Sequence, residues 1–263
     1  MVNKTKSLIL ISVILGLSLT VSCASDRTPP SILAEADTPT KSATLPPTAD
    51  MGDGYIDGFV FFGESTTYHL KSRGVLKGGT DTSQVLHDSS GSAILNPETY
   101  EMKLVYNDSD TPLPFGEAIA QRRPRYLLLT FGLNGATATV KRGRDYFFDC
   151  YRSLINAARN ASPETVIILQ SCFPVAENMD MSRYTVTVDG LNGHIRTING
   201  WTLELCETEG LSYLDTQEIL SDENGRLRLE YQAGDGYHLT AEAYQKILEY
   251  IRTHAYGEEA LNA

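Results

Sequence analysis

The chain has 263 residues, 41% of them hydrophobic and 21% charged, a balance that suits one soluble domain with a substantial core and excludes a disordered or fibrous protein. The formal net charge is -11 and no basic run extends beyond Arg122, Arg123 and Arg125, so neither a nucleic-acid surface nor an anionic-membrane surface is expected.

At the N-terminus, Lys4 and Lys6 precede an apolar segment from Leu8 to Val21, too short for a comfortable membrane span and with the charge and length of a secretory signal. The segment ends in Leu19-Thr20-Val21-Ser22-Cys23, which resembles a bacterial lipoprotein signal, where cleavage leaves a cysteine that receives the lipid. The fit is imperfect, because Thr20 stands where an aliphatic residue is preferred and Leu19 is displaced by one. The resemblance implies residues 1–22 as signal peptide and lipidation at Cys23, hence an exported protein anchored to the bacterial membrane; the alternative is a conventional signal with a free Cys23. Asp26 to Gly54 is rich in Thr, Pro, Ser, Ala and Asp without apolar period, so residues 23–54 read as a disordered tether and 55–263 as the folded domain. Cys150, Cys172 and Cys206 show no paired metal-ligand spacing and read as small apolar core residues, with one disulfide allowed but not required.

From Tyr55 onward, strand-like and helix-like segments alternate. Phe59 to Phe62 is a continuous apolar run and reads as a buried strand ended by Gly63. Glu64, Ser65, Thr66 and Thr67 are good helix starters, placing Ser65 where a strand hands over to a helix that continues to Arg73. A second strand is expected at Ser83 to His87, followed by the turn Asp88-Ser89-Ser90-Gly91. Leu95 to Pro114 is irregular, with an edge excursion at Met102 to Tyr106, and Glu117 to Arg123 is a short helix stopped by Pro124. Tyr126 to Phe131 is another central strand, Arg144 to Ala161 a crossover helix, and Thr165 to Cys172 the next buried strand. A long loop from Phe173 to Asp189 leads to a helix from about Leu191 to Glu209, and Leu211 to Leu214 is the last clear strand. Asn224-Gly225 is a candidate hairpin turn, and Thr240 opens the final helix, with Leu239 and Tyr244 placed as a hydrophobic staple. The βαβ series predicts an α/β fold, a doubly wound parallel sheet with helices on both faces.

In such a sheet, ligands gather beyond the carboxyl ends of the strands. Ser65 follows the first strand, Asn134 the third, and Asp235-Gly236-Tyr237-His238 precedes the last helix. A serine at a strand-to-helix turn presents its hydroxyl at the sheet edge, beside unpaired N–H groups of the first helical turn that can stabilise an oxyanion.

Together these blocks resemble the SGNH, or GDSL-like, hydrolase family over Tyr55 to about Tyr256. Gly63-Glu64-Ser65 matches its Gly-Asp-Ser block, Gly132-Leu133-Asn134 its Gly-x-Asn block, and Asp235-Gly236-Tyr237-His238 its Asp-x-x-His block. The resemblance implies a flavodoxin-like three-layer fold, with Ser65 as nucleophile, His238 as base and Asp235 as the group orienting it. It also implies an oxyanion hole from Ser65 N–H, the Asn134 side chain and a glycine N–H, for which Gly91 is the first choice and Gly79 the alternative. Two departures stand out: Glu64 replaces the usual aspartate and Gly135 the aspartate that often follows the block asparagine, so the hydrogen bonding behind the site must differ. His69, four residues past Ser65, reads as rim or surface, and His87, His194 and His254 as solvated or capping groups.

The expected activity is that of an exported, membrane-tethered serine esterase removing short acyl groups such as acetyl from carbohydrate or cell-wall polymer, with no cofactor or metal. An acyltransferase on the same scaffold is a second possibility, and a noncatalytic surface-binding lipoprotein a third. The loop from Phe173 to Asp189, with Met179, Met181 and Tyr184, is expected to line the acyl-acceptor side.

Overall fold

The computed structural model describes residues 42–105 and 111–257. The signal segment, Cys23 and Tyr106 lie outside them. After a short helix α1 (Asp53–Ile56), β1 (Phe59–Gly63) runs into α2 (Ser65–Ser72), and β2 (Val85–Leu86) follows. The edge excursion is a small antiparallel ribbon of β3 (Lys103–Leu104) and β4 (Leu113–Pro114), joined to the end of β2 by a bridge between His87 and Val105. The chain continues through α3 (Phe115–Arg122), β5 (Tyr126–Thr130), α4 (Ala136–Arg142), α5 (Arg144–Ala161) and β6 (Val166–Gln170). It closes with α6 (Val188–Glu209), β7 (Ser212–Leu214), α7 (Gln217–Leu220) and α8 (Ala241–Thr253).

Among the described residues, β1, β2, β5, β6 and β7 form one parallel five-stranded sheet in the order β2-β1-β5-β6-β7. Phe59 pairs with Tyr126 and Gly63 with Thr130, so the carboxyl ends of β1 and β5 are level. The apolar runs that predict the central strands work because side chains alternate between two covered faces. Val60, Phe62, Leu127, Leu129, Ile167 and Leu169 pack under α3, α5 and α6, while Phe59, Phe61, Leu128 and Ile168 pack under α1, α2 and α8. This is the three-layer arrangement expected from the alternation of strands and helices. From β1 the chain moves outward to β2 and then returns to β5 on the other side, so the carboxyl ends of β1 and β5 flank the topological switch point where α/β ligand sites form.

Local chemistry sets the helix ends. The Thr240 hydroxyl accepts the Ala243 N–H at 3.2 Å, and Leu239 and Tyr244 are buried around that cap. α6 starts one turn earlier than expected, because Thr187 caps it by accepting from Gly190 at 3.1 Å. Around Asn224-Gly225 the chain turns within a narrow hairpin bridged by Ser221 and Leu227. Cys150, Cys172 and Cys206 are buried free thiols.

The boundary of the folded unit departs from the composition. The tether expected through Gly54 ends earlier, since Leu45 is buried and the stretch from Ala43 to Met51 is bonded to the domain. Tyr213 of β7 donates to the Ala43 carbonyl at 2.7 Å and accepts from Leu45 N–H at 2.9 Å; Thr48 and Met51 donate to Thr253 and Arg252 at the end of α8. A Pro- and Thr-rich stretch satisfies its backbone on neighbouring elements, which composition does not register.

Candidate active site

Ser65 is the first residue of α2, directly after Glu64 in extended conformation at the helix cap. The tight entry depends on Gly63, where an added Cβ would collide with the Thr130 carbonyl and the Thr67 hydroxyl. α2 therefore packs hard against the ends of β1 and β5, fixing where the Ser65 hydroxyl stands. Thr67 and Tyr68 N–H donate to the Glu64 carbonyl at 2.9 and 3.1 Å, which leaves the N–H groups of Ser65 and Thr66 without an intrahelical acceptor. From the other side, buried Tyr244 of α8 donates its hydroxyl to the Thr66 carbonyl at 2.5 Å.

The structure brings Ser65, His238 and Asp235 into one chain of contacts. His238 Nε2 lies 3.0 Å from Ser65 Oγ, and His238 Nδ1 lies 2.6 Å from Asp235 Oδ2. The other carboxylate oxygen of Asp235 accepts the backbone N–H groups of Tyr237 at 3.1 Å and His238 at 2.9 Å, so the carboxylate folds its own turn and orients the ring at once. Burial works against the Asp235 carboxylate, but those two N–H groups and the imidazole outweigh it and hold its pKa below the ordinary value. Gly236, at φ 87°, is needed for the turn, and a Cβ there would sit 2.6 Å from Met179 Cα.

That close contact assigns the long loop a role the sequence did not indicate. The loop after β6 runs under the Asp-His turn, and Ala176 N–H donates to the Gly236 carbonyl at 2.7 Å. Two buried asparagines of α6 strap the loop down: Asn199 makes paired bonds with the backbone of Cys172 and Asn192 with that of Val175, at 2.7 to 3.1 Å. Their signal is two amides seven residues apart on the largely apolar face of an amphipathic helix. Met179 is buried in this support, Met181 is partly buried, and Tyr184 is exposed.

Glu64 shows how the departure from the family pattern is accommodated. Its side chain is buried and accepts from Gly132 N–H at 2.9 Å, Leu133 N–H at 3.1 Å and Asn134 N–H at 2.9 Å. Burial pushes its pKa up to about 7, with the three N–H donors acting in the opposite direction. The carboxyl thereby moulds the loop that carries Asn134. The Asn134 amide nitrogen lies 3.3 Å from the Ala93 carbonyl and 3.5 Å from Ser92 Oγ, on the chain just past Gly91.

Of the two glycine candidates, Gly79 lies before β2 in a short 3-10 turn, at the sheet edge opposite Ser65, and Gly91 lies past β2 on the side of the site. The Gly91 N–H donates to the Asp88 carbonyl at 3.2 Å, closing the turn, and the residue packs against the Tyr68 ring. His87 and His254 bond locally, to the Asp88 and Tyr250 carbonyls, and His194 of α6 meets the Thr137 hydroxyl of α4. His69 is placed differently from the rim expected for it: its ring centroid is 4.2 Å from that of His238. No group of three or more His, Cys, Asp or Glu side chains among the described residues is arranged to hold a metal ion.

A sequence model of the GDSL-like Lipase/Acylhydrolase family matches residues 61–246, a span that contains Ser65, Asn134, Asp235 and His238. The chain belongs to this family. As a GDSL-like acylhydrolase it is a hydrolase acting on ester bonds. No curated protein sequence matches it. Among solved structures, a Streptococcus pneumonia protein provisionally described as a platelet activating factor is 20% identical, with 76% of this chain and 84% of that one covered at a TM-score of 0.53, which supports the fold. The periplasmic domain of a lipopolysaccharide acetyltransferase from Salmonella ser. Paratyphi A is 18% identical over 74% of this chain and 82% of its own, with a TM-score of 0.49. A lipolytic protein of the G-D-S-L family, so described provisionally, from Desulfitobacterium hafniense is 16% identical over 75% and 98%, with a TM-score of 0.45.

Proposed function

We propose that this acylhydrolase is a serine esterase cleaving short acyl esters, of the acetyl type, on carbohydrate or cell-wall polymer outside the cytoplasm. The observation that carries the mechanism is the unbroken contact from Ser65 Oγ through His238 to Asp235, at 3.0 and 2.6 Å. With Nδ1–H donating to Asp235, Nε2 is the free base and accepts the Ser65 proton as Oγ attacks the acyl carbonyl. The oxyanion of the tetrahedral intermediate is met by Ser65 N–H and the Asn134 side-chain amide. Collapse breaks the ester bond, and the imidazolium returns its proton to the departing alkoxide, leaving an acyl-serine. Water then attacks with His238 again taking the proton, and the released acid and free Ser65 complete the cycle. What supports the polymer substrate is the secretory, lipoprotein-like N-terminus, because a tethered enzyme outside the cytoplasm meets cell-envelope polymers.

The decisive experiment is covalent labelling of Ser65 by a fluorophosphonate together with acid release from an acetylated polymer. An activated serine labels rapidly, and labelling disappears in Ser65→Ala. A folded protein whose Ser65 stays unlabelled is a binding module and not an esterase. The anchor is tested separately: Cys23→Ser should abolish fatty-acid incorporation and release the protein from membranes, and unchanged incorporation refutes the anchor alone.

A further inference from the structure

Two hydrogen bonds hold the His238 ring, one at each nitrogen. They fix the line between Asp235 and Ser65 but leave the ring free to roll about that line. A roll carries the Nε2 lone pair off the Oγ–H direction while keeping both distances nearly unchanged, so something lying against a ring face is required to set the plane. His69 lies there, with centroids 4.2 Å apart and planes inclined by 32°. The ring of Tyr237 is also close, at 4.0 Å and 39°, but it belongs to the same turn and moves with His238. His69 belongs to a different element, the helix that also carries Ser65 one turn earlier on the same side, so it refers the plane of the base to the position of the nucleophile.

We propose that His69 is a positioning residue that sets the plane of the His238 ring against the Ser65 hydroxyl. The proposal deepens the serine-esterase reading and rests on it. The Nδ1 of His69 is buried with no hydrogen-bond partner among the described residues, so this nitrogen does not tie the ring down and the ring meets His238 through its face. The charge state also fits. Burial first, then the neighbouring His238 and Arg73, lower the His69 pKa to about 4 against the pull of Asp235, so the ring is neutral at neutral pH. A neutral ring accommodates the imidazolium that forms on His238, where a second cation would oppose it.

The test uses the full chain, p-nitrophenyl acetate as probe, and His69→Ala, His69→Leu and His69→Phe, with circular dichroism to verify folding. His69→Ala is expected to lower kcat about 10- to 100-fold at nearly constant KM, the scale of loss for a small misplacement of a catalytic group, while His69→Phe recovers kcat to within about threefold of the wild type. His69→Phe should also melt at a higher temperature, because the unpartnered nitrogen is gone. His69→Leu fills the space without a flat face and should behave as His69→Ala; if the alanine variant does not fold, the leucine variant carries the comparison. Full kcat in His69→Ala or His69→Leu overturns the proposal. So does a loss in His69→Phe as large as that in His69→Leu, which would place the role in the imidazole nitrogens. An active Ser65→Ala in the same series would instead refute the serine reading, so the two failures are told apart.

Discussion

Glu64→Gln separates the electrostatics of the buried carboxyl from every other titrating group. Glu64 is 2% exposed and faces three converging N–H donors, an arrangement that stabilises the ionised form, yet burial raises its pKa from 4.5 to about 7. Its folded pKa therefore lies above its unfolded one. Between the two values the native state keeps a proton that the unfolded chain has already released, so the contribution is fully present below the unfolded pKa and is lost as pH rises through about 7. At about 1.36 kcal/mol per pKa unit, the gap corresponds to a loss of about 3 kcal/mol. Urea unfolding of wild type and Glu64→Gln, from about pH 4 to about pH 8, gives the difference in stability, in which the shared titrations cancel. The wild type's margin over the glutamine variant should shrink by about 3 kcal/mol across that range. A margin that stays constant would show that the three N–H donors balance burial, and one that grows with pH that they outweigh it; either result refutes the raised pKa.

The losses at the catalytic chain should be unequal. Ser65→Ala and His238→Ala are each expected to cost roughly 10⁶ in turnover with little further loss when combined, and Asp235→Ala roughly 10⁴, because an unoriented imidazole still accepts a proton. Asn134→Ala removes one oxyanion donor and should cost about 10² to 10³. Ester hydrolysis at saturating substrate measures all four, and near-native turnover in a folded Ser65→Ala refutes the mechanism. Gly236→Ala forces a side chain into a positive-φ turn against the Met179 backbone, so fluorophosphonate labelling should slow far more than the circular dichroism changes; unimpaired labelling would show that the turn can shift without moving His238.

The parts of this protein legible in the sequence are those decided over a few residues. Phe59 to Phe62 and Tyr126 to Phe131 announce central strands because both faces of each are covered, and Thr240 announces a helix because capping is local. The catalytic blocks were legible for a related reason, since each sits at the end of such a strand or before such a helix. What was missed depends on partners far away in the chain. Glu64 finds its donors 68 to 70 residues downstream, and nothing near it in sequence reveals them. His69 was placed on the rim by following its own helix away from the hydroxyl, whereas the base reaches it from a turn 169 residues later.

The stretch from Ala43 to Leu45 has a consequence for how this protein is handled in solution. β7 spans Ser212 to Leu214 at the border of the sheet, and its outward backbone groups at Tyr213 are taken by Ala43 and Leu45. Open borders invite pairing with other chains, and this border is closed by a piece of its own sequence. The family match begins only at residue 61, which invites trimming a recombinant fragment to Tyr55. Such a fragment would keep every catalytic residue and lose its guard strand, so it should self-associate where a fragment beginning at Ser42 stays dispersed.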